Sequence, residues 1–197
     1  MTEKDLLREA KEMIKAEAEA VGRMADRLDD AFLETVRLVD ECEGNIYISG
    51  SGTSGTMARR MVHLLCSCGV ASFFLDPATS LHGPSAIIAP GDLLIALSKS
   101  GKSDDLNTFV SIARCRGATI VGFTWDPESR LALLSNCVIN VDSGAAGEGE
   151  SVFPFGSTLA VGAVGDALCL LARRRRGIEL EELTETHPSG ATADLVR

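Results

Sequence analysis

Residues 45–55 read Asn-Ile-Tyr-Ile-Ser-Gly-Ser-Gly-Thr-Ser-Gly. Ile46, Tyr47 and Ile48 form a short β-type apolar run that feeds directly into a loop with glycines at 50, 52 and 55. The spacing beyond the loop predicts a helix from about Ser54. Glycines let a backbone turn tightly and bring its N–H groups close to a ligand. A helix start adds unpaired N–H donors and a partial positive charge. Strand, glycine loop and helix start together make an anion site, with phosphate the usual occupant. Ser51, Thr53 and Ser54 add hydroxyls that can donate to phosphate oxygens.

Downstream the pattern alternates between strand and helix. Strands are predicted at 45–49, 71–75, 92–98, 119–124 and 137–141, with helices at about 54–68, 103–116, 128–134 and 154–174. The 92–98 run is nearly all apolar, as a strand buried on both faces should be. The stretch 76–90, with prolines at 77, 84 and 90, reads as a loop. Upstream, 3–41 reads as two amphipathic helices jointed at Gly22, the kind of element that often packs or makes oligomer contacts. The fold class is therefore α/β, a doubly wound five-stranded parallel sheet in the flavodoxin-like order 2-1-3-4-5, preceded by two helices. In such a sheet the ligand lies at the carboxyl ends of the strands where the order reverses, here between the loops 50–55 and 98–103.

The 197 residues suffice for one domain with a full core, divided into helices over 1–43, an α/β core over 44–177 and a tail over 178–197. The net charge of −9 argues against a nucleic-acid surface. No apolar run is expected to reach membrane-spanning length, and the polar start Met1-Thr-Glu-Lys-Asp5 is unlike a signal peptide, so a cytoplasmic protein is expected. The six cysteines match no zinc spacing and are read as reduced thiols, with no metal site. The basic run Arg173–Arg176 falls where a helix should end and complements its dipole.

Three readings of the glycine loop compete. It fits G-x-G-x-x-G, and Asp76 follows about 20 residues later, as in a dinucleotide site. A dehydrogenase would need a further substrate domain, which this chain has no residues left to build. The run from Ala96 to Ser103 approaches a nucleotide P-loop, but alanine stands where that motif has glycine. The third reading uses both loops. Ser98-Lys99-Ser100-Gly101-Lys102-Ser103 brings three hydroxyls to the next strand-to-helix turn, facing Thr53 and Ser54. Two converging hydroxyl loops suit one small phosphate better than a dinucleotide.

With G-x-G-x-S-G at 50–55 and S-x-S-G-x-S at 98–103, the sequence resembles the sugar isomerase (SIS) domain family over about 45–175. Within it, the sequence is most similar to the arabinose-5-phosphate isomerases, without their tandem CBS modules. Phe73-Phe-Leu-Asp-Pro-Ala78 before His82-Gly83, the run 89–98, Pro154-Phe-Gly-Ser-Thr158 with Gly165-Asp-Ala-Leu168, and His187-Pro-Ser-Gly190 carry that similarity. Thr53 stands where the family has lysine, Lys102 where it has glutamate, and Pro84 where it has aspartate. The resemblance implies phosphosugar binding, no metal or organic cofactor, and a homodimer or homotetramer with shared sites.

Aldose–ketose interconversion needs a base to move a proton between adjacent carbons and an acid at the carbonyl oxygen. Glu148, Glu150, His82 and His187 are the candidates for these roles, since imidazole titrates near neutrality and desolvation can raise a carboxylate. His63 is read as a packing residue. Gly52, Thr53, Ser54, Ser98, Lys99, Ser100, Gly101, Lys102, Ser103, Ser157 and Thr158 are the candidate substrate-binding residues. Capping of helix starts is the competing use of those hydroxyls. The expected activity is isomerisation of a sugar phosphate through an enediol, with arabinose 5-phosphate and ribulose 5-phosphate as the leading pair. A non-catalytic phosphosugar sensor is the alternative.

Overall fold

The apolar runs at 46–50, 93–97 and 119–124 are strand-length, and none has a polar face. They must be covered on both sides, which requires helices above and below a parallel sheet. The computed structural model describes residues 1–144, 153–179 and 186 and has that arrangement. Strands β1 (Ile46–Gly50), β2 (Ser72–Phe74), β3 (Leu93–Leu97), β4 (Thr119–Thr124) and β5 (Cys137–Asn140) form one parallel sheet in the order β2-β1-β3-β4-β5.

Alternation along each strand divides the interior into two layers. Ile46, Ile48, Leu93, Ile95, Leu97, Val121 and Phe123 face one side. There they meet Met24 of α1 (Glu3–Ala25), Phe32 and Val36 of α2 (Asp30–Asp40), Met61 and Leu65 of α3 (Gly52–Ser67), and Val164 and Leu168 of α7 (Phe155–Arg175). Tyr47, Leu94, Ala96 and Ile120 face the other side, against Phe109 and Val110 of α5 (Asp104–Cys115) and Leu131 of α6 (Arg130–Leu134). At the amino edge of the sheet, buried Asp92 accepts the Asn45 and Ala89 N–H groups, both at 2.7 Å, and so pins β1 to β3.

Three expectations need correcting. Gly22 is no joint. Helix α1 runs through it to Ala25, because one glycine costs a helix interior only about 1 kcal/mol. The turn lies at 26–29, where the Asp29 carboxylate caps α2 at Ala31 N–H. The stretch 76–90 is not all loop but holds α4 (Pro77–Ser80) and a 3-10 turn (Pro84–Ile87). Helix α7 is long and apolar enough, by length and composition, to cross a membrane, contrary to the expectation of no such run. It packs on α1, α2 and α3, as a core helix does.

The basic run anchors the end of α7. Arg175 pairs with Asp40 at 2.9 Å, Arg176 donates to the Val39 carbonyl at 2.6 Å and Arg173 to the Ile178 carbonyl at 2.8 Å. His63 is solvent-exposed and does not pack, a further departure from the sequence reading.

Candidate functional site

The register Gly50↔Leu97 ends β1 and β3 level with each other, so the two loops that follow leave the sheet side by side. Their hydroxyls meet. Ser51 Oγ and Ser103 Oγ lie 3.4 Å apart across 52 residues of sequence. This is the point where the strand order reverses, and open α/β sheets bind their ligands there.

The glycines make the convergence possible. A Cβ on Gly50 would sit 2.9 Å from the Ser54 backbone and 3.0 Å from the Leu97 carbonyl oxygen. Gly101 has φ +66°, and a Cβ there would fall 2.1 Å from Ser129 Oγ. The second loop is thus pressed onto the start of α6. Its carbonyls are tied down as well. Gly101 C=O accepts the Asn107 side-chain amide at 2.9 Å and the Leu131 N–H at 3.2 Å. Lys99 C=O accepts the Trp125 N–H at 2.9 Å and the Thr124 hydroxyl at 3.1 Å.

Helix caps separate the site from the scaffold. Thr2, Asp29, Asp76 and Ser129 each accept a backbone N–H at the starts of α1, α2, α4 and α6. Ser51, Ser103 and Pro154 stand at the N-caps of α3, α5 and α7 and make no such bond. All three starts border the crevice. None of the three N-cap side chains therefore satisfies a first-turn N–H group, which suits an anionic ligand. Ser51 and Ser103 are capping residue types that do not cap, so capping does not account for them.

An open cleft of about 260 Å³ is lined by Thr53, Ser54, Met57, Lys99, Pro154, Ser157, Thr158 and Val161. Of the predicted binding residues, the structure thus gathers Thr53, Ser54, Lys99, Ser157 and Thr158 around one space. Ser98, buried, and Ser100, half-buried, sit in the adjoining turn, where the Gly101 N–H donates to the Ser98 carbonyl at 3.0 Å. Gly52 opens α3 at φ +57°. Lys102 is exposed and outside the lining. His82 is exposed in the turn after α4, its N–H donating to the Thr79 carbonyl, and is likewise outside the lining. Glu148, Glu150 and His187 lie outside the described residues. Among the described residues, no carboxylate or imidazole lines the cleft.

Asp76 does not behave as a ribose acceptor. Its carboxylate takes the Thr79 N–H at 2.8 Å as the cap of α4. That bond, a second from the Thr79 side chain and the nearby Arg59 charge hold it below the usual carboxylate range.

Sequence reasoning named the hydroxyls but missed the residues that hold their loop, Asn107, Thr124, Trp125 and Ser129. Helix and strand signals account for their positions, and nothing in a single sequence marks a side chain whose partner is a backbone carbonyl elsewhere.

A model of the SIS domain matches residues 41–171. The arabinose 5-phosphate isomerase KdsD of Pseudomonas aeruginosa is 30% identical over 187 residues, 95% of this chain and 57% of its own length. The arabinose 5-phosphate isomerase GutQ of Escherichia coli K12 is 28% identical over 186 residues, 94% of this chain and 58% of its own. The chain therefore spans less than two thirds of these curated relatives. Among solved structures, a candidate sugar-phosphate isomerase of Listeria monocytogenes superposes with a TM-score of 0.91 at 27% identity, covering 96% of this chain and 100% of that one.

Proposed function

Since the chain belongs to the SIS domain family, we propose that it is a cytoplasmic phosphosugar isomerase interconverting an aldose and a ketose through an enediol, without a metal or organic cofactor. Arabinose 5-phosphate and ribulose 5-phosphate are the leading pair, because both curated relatives named above act on arabinose 5-phosphate. The observation that carries the reading is the meeting of Ser51 and Ser103 beneath three helix starts without side-chain caps. A phosphate group needs several convergent N–H and O–H donors, and this crevice supplies them.

In this reading Ser51, Ser54, Ser100 and Ser103 hold the phosphate, while Ser157 and Thr158 border the sugar. A base takes the proton from C2 and returns it to C1, and a proton passes from O2 to O1. Glu148, Glu150, His82 and His187 remain the candidates for those transfers. Phosphate contacts made equally in ground and transition states lower KM, whereas the proton-transfer groups govern kcat.

The second reading is a non-catalytic phosphosugar sensor, which would keep the convergent hydroxyl loops and need no acid–base pair. One experiment separates the two. The protein is incubated in D2O with pentose and hexose phosphates and followed by NMR. An isomerase yields ketose carrying deuterium at C1, and single changes at the base remove it. If no sugar phosphate exchanges or converts while one raises the Tm, catalysis is wrong and the sensor reading replaces it.

A further inference from the structure

Trp125 is the chain's one tryptophan and stands just past the end of β4, at the carboxyl edge of the sheet, 41% exposed. Its ring face lies 4.9 Å from the Lys99 ammonium. That is within the range at which the negative face of an aromatic ring attracts a cation. The backbone makes the same junction, since the Trp125 N–H and the Thr124 hydroxyl both donate to the Lys99 carbonyl. These contacts hold the Lys99 peptide against the end of β4 and set its ammonium over the indole.

Lys99 is half-buried and contributes to the cleft lining, where, among the described residues, the other polar side chains are the hydroxyls of Thr53, Ser54, Ser157 and Thr158. Lys102, between Gly101 and Ser103 in the same turn, is exposed and outside it. The chain carries a net charge of −9, so an approaching phosphate meets an unfavourable overall field. The Lys99 ammonium in the cleft wall opposes that field locally. Lysine binds phosphate as a point charge, so what geometry must supply is the position of that charge. A long stem ordered before binding loses less entropy when the ligand arrives.

Resting on the reading of this cleft as a sugar-phosphate site, we infer that Lys99 is the cation that receives the substrate's phosphate and that Trp125 is its positioning residue. The ring keeps the ammonium in the wall and takes no part in the proton transfers. Trp125 therefore governs affinity for the phosphate and leaves the chemical step alone.

The test uses the whole chain with K99M, K99R, W125F, W125L and the double variant K99M/W125L. Binding of inorganic phosphate and of arabinose 5-phosphate is measured by calorimetry, beside kcat and KM. The expected results are a loss of about tenfold or more in both affinities for K99M, and partial recovery in K99R. W125L weakens both by about two- to fivefold with kcat unchanged, and W125F falls between W125L and the parent. The double variant binds no more weakly than K99M alone, because the ring acts through the lysine. Unchanged phosphate affinity in W125L or K99M overturns the inference, as does a W125L effect that persists in full in the K99M background. W125F, which keeps the backbone bond and an aromatic ring, guards against misreading a folding defect. If no sugar phosphate is converted but phosphate affinity follows Lys99 and Trp125 as stated, the isomerase reading fails and this assignment stands. If conversion proceeds with unchanged KM in K99M, the isomerase reading stands and this assignment fails.

Discussion

Gly101 decides the shape of the second loop. Its φ of +66° is a conformation that side chains disfavour, and the Ser129 hydroxyl occupies the place a Cβ would take. Gly101→Ala is expected to destabilise the protein by about 2 kcal/mol, from backbone strain and the displaced hydroxyl together. It should also weaken binding of inorganic phosphate, since Ser100 precedes it and Ser103 follows two residues later in the same turn. Thermal melts with and without phosphate check both effects, and an unchanged Tm would show that the loop tolerates another path. At this scale the hydroxyls were legible in sequence because they sit in short motifs beside glycine. The Asn107 amide that donates to Gly101 and the Thr124 hydroxyl that donates to Lys99 were not. A hydrogen bond to a backbone carbonyl leaves no pattern of residue types to read.

Helix starts show the same limit one level up. Serine before a helix predicts a cap, and at Ser129 it is one. Ser51 and Ser103 have the same sequence signal yet form no cap bond. The short helix α4 went unread because four residues are too few for periodicity, although Asp76-Pro77 supplied both a cap and a first-turn proline. Asp76→Ala should cost about 1 kcal/mol of stability at neutral pH. The Thr79 N–H and side chain depress the folded-state Asp76 carboxyl, with Arg59 assisting. A depressed carboxylate stabilises the fold fully above its unfolded pKa of about 3.9 and ceases to do so as pH falls through the folded value. The stability gap between parent and variant should therefore shrink below about pH 4. Urea unfolding at a series of pH values reads this directly, and a gap independent of pH would assign the cost to something other than the carboxylate.

Across the whole molecule, the first half of α1 is unlike the rest. Leu6, Leu7 and Ile14 are 50%, 58% and 65% exposed, and the buried residues of α1 are Ala20 and Met24 at its far end. Leu6, Ala10, Met13, Ile14 and Ala18 recur at helical spacing, and of this predicted apolar face Leu6 and Ile14 stay exposed. Among the described residues little covers its first turns, and burial of apolar area is favourable by about 25 cal/mol per Å². The expected outcome is a homodimer or homotetramer in solution, with Leu7→Glu plus Ile14→Glu shifting it toward monomer. Sedimentation velocity at micromolar concentration measures this, and a monomeric parent protein would count against the oligomer.

Strand order, the crevice between 50–55 and 98–103, and the hydroxyl character of its walls all followed from the sequence. Apolar runs of strand length, alternating with helical spacing, admit few right-handed parallel arrangements, and both glycine-rich turns fall at carboxyl strand ends in the one observed. The sequence reading named both lysines of one loop as binding residues, because Lys99 and Lys102 are equivalent as residue types. Tertiary structure decided for Lys99, whose carbonyl is bound by Thr124 and Trp125 and whose ammonium lies over the indole. Those partners lie about 25 residues away along the chain and become neighbours only when β4 pairs with β3. Periodicity along the chain can place a strand. Where a side chain is held depends on the register between strands, and that exists only in the folded molecule.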